Sequence, residues 1–126
     1  MAVIGIGTDI VRVSRVRRIL RKFPETFAER ILHPDELQVF ASHHSPASFT
    51  TKRFAAKEAA AKALGTGIAK GVSFHDISVT NNEQGQPILR FYGKTLEIAE
   101  QMGVKNRFIS LSDEGEYAIA HVVLES

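Results

Sequence analysis

The fold is decided near the middle of the chain, where the sequence is Phe54-Ala55-Ala56-Lys57-Glu58-Ala59-Ala60-Ala61-Lys62-Ala63-Leu64-Gly65. Alanine has the highest helix propensity and little bulk, so this segment predicts a stiff helix that other groups can approach closely. Gly65 is a typical residue just beyond the C-terminus of a helix. Glu58 and Lys62 lie on one side of such a helix, one turn apart. Their spacing alone fits either a surface ion pair or part of a chemical site.

The length and composition of the chain limit its class. Its 126 residues, of which 44% are hydrophobic, suffice for one compact domain over 1–126. No apolar run approaches the roughly 20 residues that cross a bilayer, and no leader pattern is present, so we expect a soluble, cytoplasmic protein. Cysteine is absent, which excludes disulfides, thiolate nucleophiles and zinc sites built on sulfur. The five histidines lack metal-ligand spacing, so a hard cation bound by carboxylates is the remaining metal option.

The order of elements is typical of an α+β protein. A β-branched strand reaches about Thr8 and contains two glycines, where a backbone or a ligand can come close. An amphipathic helix with Val13, Val16, Leu20 and Phe23 on its apolar side then runs to Pro24. Further helices are predicted over 25–32, from Asp35 as N-cap, over 46–64 and over 95–102, with strands over 72–79, 87–92, 107–112 and 117–124. The strands form two hairpins, so we expect an antiparallel sheet packed against the long central helix and shorter helices.

Asp9 follows the first apolar strand, and Glu58 and Lys62 stand among alanines. Two carboxylates from different elements can hold Mg²⁺ together with waters and the oxygens of a phosphate substrate, and Lys62 would then lie beside that phosphate. Asp9 is equally typical of a helix N-cap, because a helix begins within a few residues. The segment Gly65-Thr66-Gly67 lacks the spacing of a phosphate-binding loop and is more typical of a helix end and a turn.

The first helix is strongly basic. Six of the eleven residues from Arg12 to Lys22 are arginine or lysine, and no acidic residue occurs between Val11 and Pro24. A solvated helix face normally mixes charges of both signs, so the segment indicates a macromolecular anion as partner. Nucleic acid is one candidate, but stacking aromatics, zinc fingers and a helix-turn-helix pattern are absent. An acidic protein fits equally well, and a scaffold subunit without a ligand is the third alternative.

Taken together, these segments resemble the holo-acyl-carrier-protein synthase family, the small trimeric type of 4′-phosphopantetheinyl transferase. The resemblance rests on Gly5-Ile6-Gly7-Thr8-Asp9-Ile10-Val11, Arg53-Phe54-Ala55-Ala56-Lys57-Glu58-Ala59, Lys62-Ala63-Leu64-Gly65-Thr66-Gly67-Ile68, Gly85-Gln86-Pro87 and Tyr117-Ala118-Ile119-Ala120. It implies the fold of that family and a role in fatty acid biosynthesis. The implied reaction moves the phosphopantetheine arm of coenzyme A to a serine of acyl carrier protein, requires Mg²⁺ and releases adenosine 3′,5′-bisphosphate. Nucleic acid and membrane are not among the implied partners.

The resemblance also assigns residues. Asp9 and Glu58 match the metal-binding carboxylates, and Lys62 matches a catalytic residue near the scissile phosphate, where we favour charge stabilisation over a role as base. The residues that match coenzyme A contacts are Arg53, Lys62, Gly65, Gln86 and Pro87. The residues chosen for docking the acidic carrier protein are Arg15, Arg18, Arg21 and Lys22. The active site is expected between neighbouring subunits of a homotrimer. One position departs from the family, because Asp113 stands where many members have a histidine, so a catalytic role of that histidine does not transfer.

Overall fold

The computed structural model describes every residue from Met1 to Ser126. Its elements are β1 (Val3–Arg12), α1 (Val13–Lys22), α2 (Pro24–Ile31), α3 (Pro34–Ser42), α4 (Pro46–Ala63), β2 (Ile77–Asn81), β3 (Pro87–Phe91), α5 (Gly93–Met102), β4 (Asn106–Glu114) and β5 (Tyr117–Glu125). The predicted α+β class with antiparallel strands is confirmed. None of the helices combines the length and the apolar character needed to cross a bilayer.

The strands form two antiparallel sheets rather than one. A three-stranded sheet has the order β1-β5-β4, and β2 and β3 form a separate hairpin. Both predicted hairpins are therefore present. The strand predicted over 72–79 begins only at Ile77, because Phe74–Asp76 forms a turn of 3₁₀-helix in front of it. Arg107 of β4 joins the two sheets by donating a hydrogen bond from Nε to the carbonyl of Leu89 in β3, at 3.0 Å.

Helix α4 packs against both sheets and is buried on most sides, including all six of its alanines from Ala55 to Ala63. Its closest approach is to β1. A Cβ atom placed on Gly7 would overlap the carbonyl oxygen of Ala59, and one placed on Gly5 would overlap that of Ala63. Glycine on the strand and alanine on the helix thus bring two backbones together more closely than larger side chains allow. This contact fixes β1 alongside the C-terminal half of α4.

The sheet β1-β5-β4 buries one face and exposes the other. Ala118, Ala120, Val122 and Leu124 of β5 point into the core. The opposite face carries five exposed apolar side chains, which we call the exposed sheet face: Ile6, Ile10, Phe108, Tyr117 and Ile119. Ile10 and Ile119 are cross-strand partners, so this face is continuous across at least two strands. Apolar patches of this kind commonly mark interaction surfaces.

Two predicted helix caps and one predicted buried position are wrong. Asp9 is not an N-cap, because β1 continues pairing with β5 as far as Arg12, which is the N-cap residue of α1. His33, not Asp35, caps α3: its ring Nδ1 accepts a hydrogen bond from the backbone N–H of Asp35 at 3.2 Å. Phe23 is 51% exposed, whereas the rest of the predicted apolar side of α1 packs inward.

Replacement of Gly7 by alanine tests the contact between β1 and α4. We expect Gly7→Ala to lower the free energy of unfolding by roughly 3 kcal/mol, because the added methyl group meets backbone atoms that cannot move aside. Val3→Ala, at an exposed position of the same strand, is the control and should change stability by less than about 0.5 kcal/mol. Chemical denaturation of both variants measures the difference, and equal stability of the two would contradict the close contact.

Candidate active site

Asp9 lies in β1 opposite Ala120 of β5, on the side of the sheet that faces α4. Its Oδ1 atom accepts a hydrogen bond from Nζ of Lys62 at 3.1 Å, and the same Nζ donates to the carbonyl of Thr8 at 3.0 Å. The Asp9 side chain is 16% exposed and that of Lys62 is 52% exposed. Lys62 therefore pairs with the strand across the helix–strand contact. The alternative of an ion pair between Glu58 and Lys62 is wrong, since the carboxylate partner of Lys62 is Asp9.

Glu58 is half-buried on α4 and interacts electrostatically with Asp9. Burial raises the pKa of the Glu58 carboxyl, and the negative charge of Asp9 raises it further, while Lys62 and Arg15 act in the opposite direction. Two carboxylates that repel each other across one space are an oxygen donor set for a hard divalent cation. The chain has no cluster of three or more metal-binding side chains. A cation held by Asp9 and Glu58 would therefore take its remaining ligands from water and substrate.

A second cluster surrounds Arg53, whose side chain is only 6% exposed. Its Nε donates to the carbonyl of Val79 at 3.1 Å, and its guanidinium lies 4.5 Å from the ring centre of Phe49. Arg53 forms no ion pair with a carboxylate. It lines a cavity of about 340 Å³ together with His43, Ser48, Lys52, Thr80 and Asn81. A smaller adjoining cavity of about 180 Å³ is lined by Lys52, Arg53, Asn81, Gly85, Pro87 and Leu111, and we call the two together the Arg53 pocket.

Within one chain, the predicted coenzyme A residues fall into two groups. Gly65 lies next to Lys62, with its N–H bonded to the Lys62 carbonyl at 2.9 Å. Arg53 is nine residues before Lys62 on α4, which corresponds to about 14 Å along the axis. Pro87 lines the pocket with Arg53, and the exposed Gln86 precedes it in the turn between β2 and β3. A single chain thus joins Arg53 with the β2–β3 turn but leaves Gly65 apart.

The basic residues predicted to dock a carrier protein are all exposed on α1, and none of them forms an ion pair with a carboxylate: Arg15, Arg18, Arg21 and Lys22. Arg15 and Arg18 line an open cavity of about 420 Å³ between α1 and the end of β1. Arg15 also lowers the pKa of Glu58, so its positive charge reaches the carboxylate site. The basic face of α1 therefore borders the site formed by Asp9, Glu58 and Lys62.

Sequence reasoning missed several interactions around the Arg53 pocket. Asp113 lies 3.6 Å from Lys52 as an ion pair at the rim, which gives a local partner to the residue that departs from the family. Glu36 and Lys57 form an ion pair of 2.6 Å and are both 0% exposed. A lysine such as Lys57 on the buried side of a helix requires a buried carboxylate as partner. The sequence alone does not identify that partner as Glu36.

The model of the 4′-phosphopantetheinyl transferase superfamily matches residues 5–122. A holo-[acyl-carrier-protein] synthase of Photobacterium profundum is 53% identical over 126 residues, which cover 100% of both chains. The chain belongs to the holo-[acyl-carrier-protein] synthase family. The holo-[acyl-carrier-protein] synthases are 4′-phosphopantetheinyl transferases, so the predicted family and enzyme class are confirmed.

Solved structures of the holo-[acyl-carrier-protein] synthases agree with the fold described above. The crystal structure of the protein from Neisseria meningitidis has a TM-score of 0.94 and 42% identity, and the match covers 99% of this chain and 100% of that one. The protein from Bacillus anthracis str. Ames, in complex with CoA (3′,5′-ADP), has a TM-score of 0.82 and 40% identity, with 98% and 97% of the two chains covered.

Proposed function

We propose that this holo-[acyl-carrier-protein] synthase transfers 4′-phosphopantetheine from coenzyme A to a serine of an apo acyl carrier protein of fatty acid biosynthesis, in the cytoplasm. In this reaction the serine oxygen forms a bond to the phosphorus that carries the pantetheine arm. The bond from that phosphorus to the bridging oxygen of the pyrophosphate breaks, and adenosine 3′,5′-bisphosphate leaves with that oxygen. The observation that carries the proposal is the convergence of Asp9 from β1 with Glu58 and Lys62 from α4.

Asp9 and Glu58 are the residues that would hold Mg²⁺. The fit rests on their carboxylate oxygens, which are the ligands that Mg²⁺ prefers, and on the raised pKa of Glu58, which burial and then the negative charge of Asp9 cause. When bound, Mg²⁺ supplies neutralisation of the charge that develops on the pyrophosphate oxygens. Glu58 has no hydrogen-bonding lysine of its own, since Nζ of Lys62 is directed to Asp9 and Thr8.

Lys62 provides a second positive charge at the reacting phosphate. More than half of its side chain is exposed, so its ammonium group can donate to a phosphate oxygen without leaving the site. Nζ of Lys62 already donates a hydrogen bond to Oδ1 of Asp9 at 3.1 Å, and a donor of this kind suits charge stabilisation better than a role as base. A water or a carboxylate then accepts the serine proton.

The Arg53 pocket supports the assignment of coenzyme A as substrate. Its buried guanidinium has no carboxylate partner, and Lys52 adds a second cation at the rim. Such a pocket favours a phosphate group. Pro87 lines this pocket and Gln86 precedes it in the β2–β3 turn, which supports the proposed coenzyme A contacts of both residues. Gly65 belongs to the other group, near Lys62, and we assign it to the pantetheine end of the ligand.

We further propose a homotrimer in which each active site lies between two subunits. The separation of Gly65 from Arg53 along α4 supports this arrangement, because the nucleotide pocket of one chain and the carboxylate site of another can then act on one coenzyme A molecule. The exposed sheet face supplies apolar side chains for the contact between copies.

The transfer itself is the direct test of the proposed function. Incubation with coenzyme A, Mg²⁺ and apo acyl carrier protein should raise the mass of the carrier by one phosphopantetheine group, as read by mass spectrometry. Asp9→Asn and Glu58→Gln should each lower kcat/KM roughly hundredfold or more, because charge stabilisation by the metal contributes several kcal/mol. Glu114→Gln, at an exposed carboxylate of β4, is the control. Full activity of Glu58→Gln would refute the role of Glu58 as a metal ligand. Preference for a carrier protein from another pathway would refute the assignment to fatty acid biosynthesis.

The shared active site can be tested by mixing two inactive chains. Glu58→Gln and Arg53→Gln chains, refolded together, should regain part of the wild-type activity, because some sites then combine an intact Glu58 with an intact Arg53 from different subunits. The double variant Arg53→Gln/Glu58→Gln mixed with either single variant is the control and should regain less. A mixture that forms trimers without regaining activity would contradict sites built from two subunits.

Charge reversal on α1 tests the docking surface. We expect Arg18→Glu/Arg21→Glu to raise the KM for acyl carrier protein about tenfold and to leave the KM for coenzyme A unchanged, because repulsion then replaces attraction for an acidic partner. Lys105→Glu, an exposed lysine outside α1, is the matched control. Steady-state kinetics with each substrate varied in turn measures the effect. An equal change for both substrates would remove the docking role from this face.

A further inference from the structure

Glu36 of α3 and Lys57 of α4 form a completely buried ion pair, with 2.6 Å between Nζ of Lys57 and Oε1 of Glu36. Neither residue touches Asp9 or the carboxylate site, and neither has a role in the reaction proposed above. Both are 0% exposed, which is unusual for these residue types. A buried ion pair is also weak evidence for stability, because desolvation offsets much of the attraction between the charges.

Every remaining polar contact of the pair goes to the backbone. Nζ of Lys57 donates to the carbonyl of Ile31 at 2.6 Å and to that of Phe74 at 3.1 Å. Oε1 of Glu36 accepts from the N–H of His33, and Oε2 accepts from the N–H of Val79, both at 2.8 Å. The pair thus ties the end of α2, the start of α3 and the beginning of the β2 hairpin to the middle of α4.

Val79 connects this pair to Arg53. The N–H of Val79 donates to Glu36, and its carbonyl accepts from Nε of Arg53 at 3.1 Å. Thr80 and Asn81, which follow in β2, form part of the wall of the Arg53 pocket. One residue of β2 therefore has both backbone polar groups held by charged side chains, one from the ion pair and one from the pocket.

The charges in this region do not balance. Glu36 is one negative charge among the two buried cations Lys57 and Arg53, which leaves one positive charge in excess. Burial lowers the pKa of Lys57 and of Arg53, and in both cases Glu36 opposes the effect. Glu36 is also among the residues that surround the cavity beside Arg53. The excess charge thus borders a cavity that an anion can enter.

We propose that Glu36 and Lys57 are positioning residues, which hold Val79 and the guanidinium of Arg53 in the arrangement that binds a phosphate group of the nucleotide part of coenzyme A. This inference rests on the proposed function, because it takes coenzyme A as the occupant of the Arg53 pocket. It assigns a role at the nucleotide end of the ligand to residues that lie outside the reacting groups.

The experiment compares the wild type with Glu36→Gln/Lys57→Met, which removes both charges of the pair and leaves neither partner alone. Isothermal titration calorimetry with adenosine 3′,5′-bisphosphate should show roughly tenfold weaker binding. A loss of this size is typical when a charge-assisted hydrogen bond, here from Arg53 to the phosphate, loses its geometry. The KM for coenzyme A should rise by a similar factor while kcat at saturation stays within about twofold, since Asp9, Glu58 and Lys62 are untouched. In an Arg53→Gln background, the same double replacement should cause no further loss of bisphosphate affinity.

Two further variants separate positioning from folding. Leu124→Ala removes a fully buried side chain of β5 that does not line the pocket, and should lower the melting temperature without changing bisphosphate affinity. Glu36→Asp keeps the charge but withdraws the carboxylate by one methylene, and should weaken bisphosphate binding by about threefold. Glu36→Asp tests the positioning role if the double variant does not fold.

A folded double variant or Glu36→Asp protein with wild-type bisphosphate affinity would overturn the positioning role. The positioning role would also be overturned if Glu36→Gln/Lys57→Met lowered bisphosphate affinity by the same factor in the wild-type and the Arg53→Gln backgrounds. If the wild type itself fails to bind the bisphosphate, or binds it equally well as Arg53→Gln, the assignment of coenzyme A to the Arg53 pocket fails instead.

Discussion

The close approach of β1 and α4 is the constraint on which the rest of the structure depends. Gly5 and Gly7 leave no side chain between the strand and the carbonyls of Ala63 and Ala59. The strand therefore runs along the helix at backbone contact, and Asp9 comes within hydrogen-bonding distance of Lys62 and within electrostatic reach of Glu58. Larger residues on either element would separate the Asp9 carboxylate from Glu58 and Lys62, and so remove the pair of ligands that we propose for a divalent cation.

Helix α4 carries two pairs of charged residues with the same spacing, Arg53 with Lys57 and Glu58 with Lys62. Residues four apart share a side of a helix, whereas Lys57 and Glu58 differ by about 100° around the axis. The first pair faces the β2 hairpin, and the second faces β1. One helix thus contributes to the Arg53 pocket and to the carboxylate site in different directions, and the alanines between them let both sheets pack closely.

The sequence sufficed to predict the α+β class, both hairpins, the end of α4 at Gly65 and the exposed basic side of α1, because each depends on local pattern. It failed where tertiary contacts decide. The local sequence around Asp9 fits a helix N-cap equally well, but pairing with β5 places Asp9 inside a strand. Phe23 continues the apolar pattern of α1, yet its side chain is exposed and does not pack in the core. The partner of Lys62 and the pair of Glu36 with Lys57 depend on which elements meet, so residue spacing within one element could not predict them.

We propose above all that Asp9 and Glu58 hold one divalent cation at the phosphate of coenzyme A. A crystal structure of the protein with coenzyme A and Mn²⁺ in place of Mg²⁺, with the metal located by its anomalous scattering, tests this claim most directly. We expect one metal peak per site, coordinated by an oxygen of Asp9, an oxygen of Glu58 and an oxygen of the pyrophosphate. A peak that is coordinated by only one of these carboxylates, or that lies away from both, would contradict it.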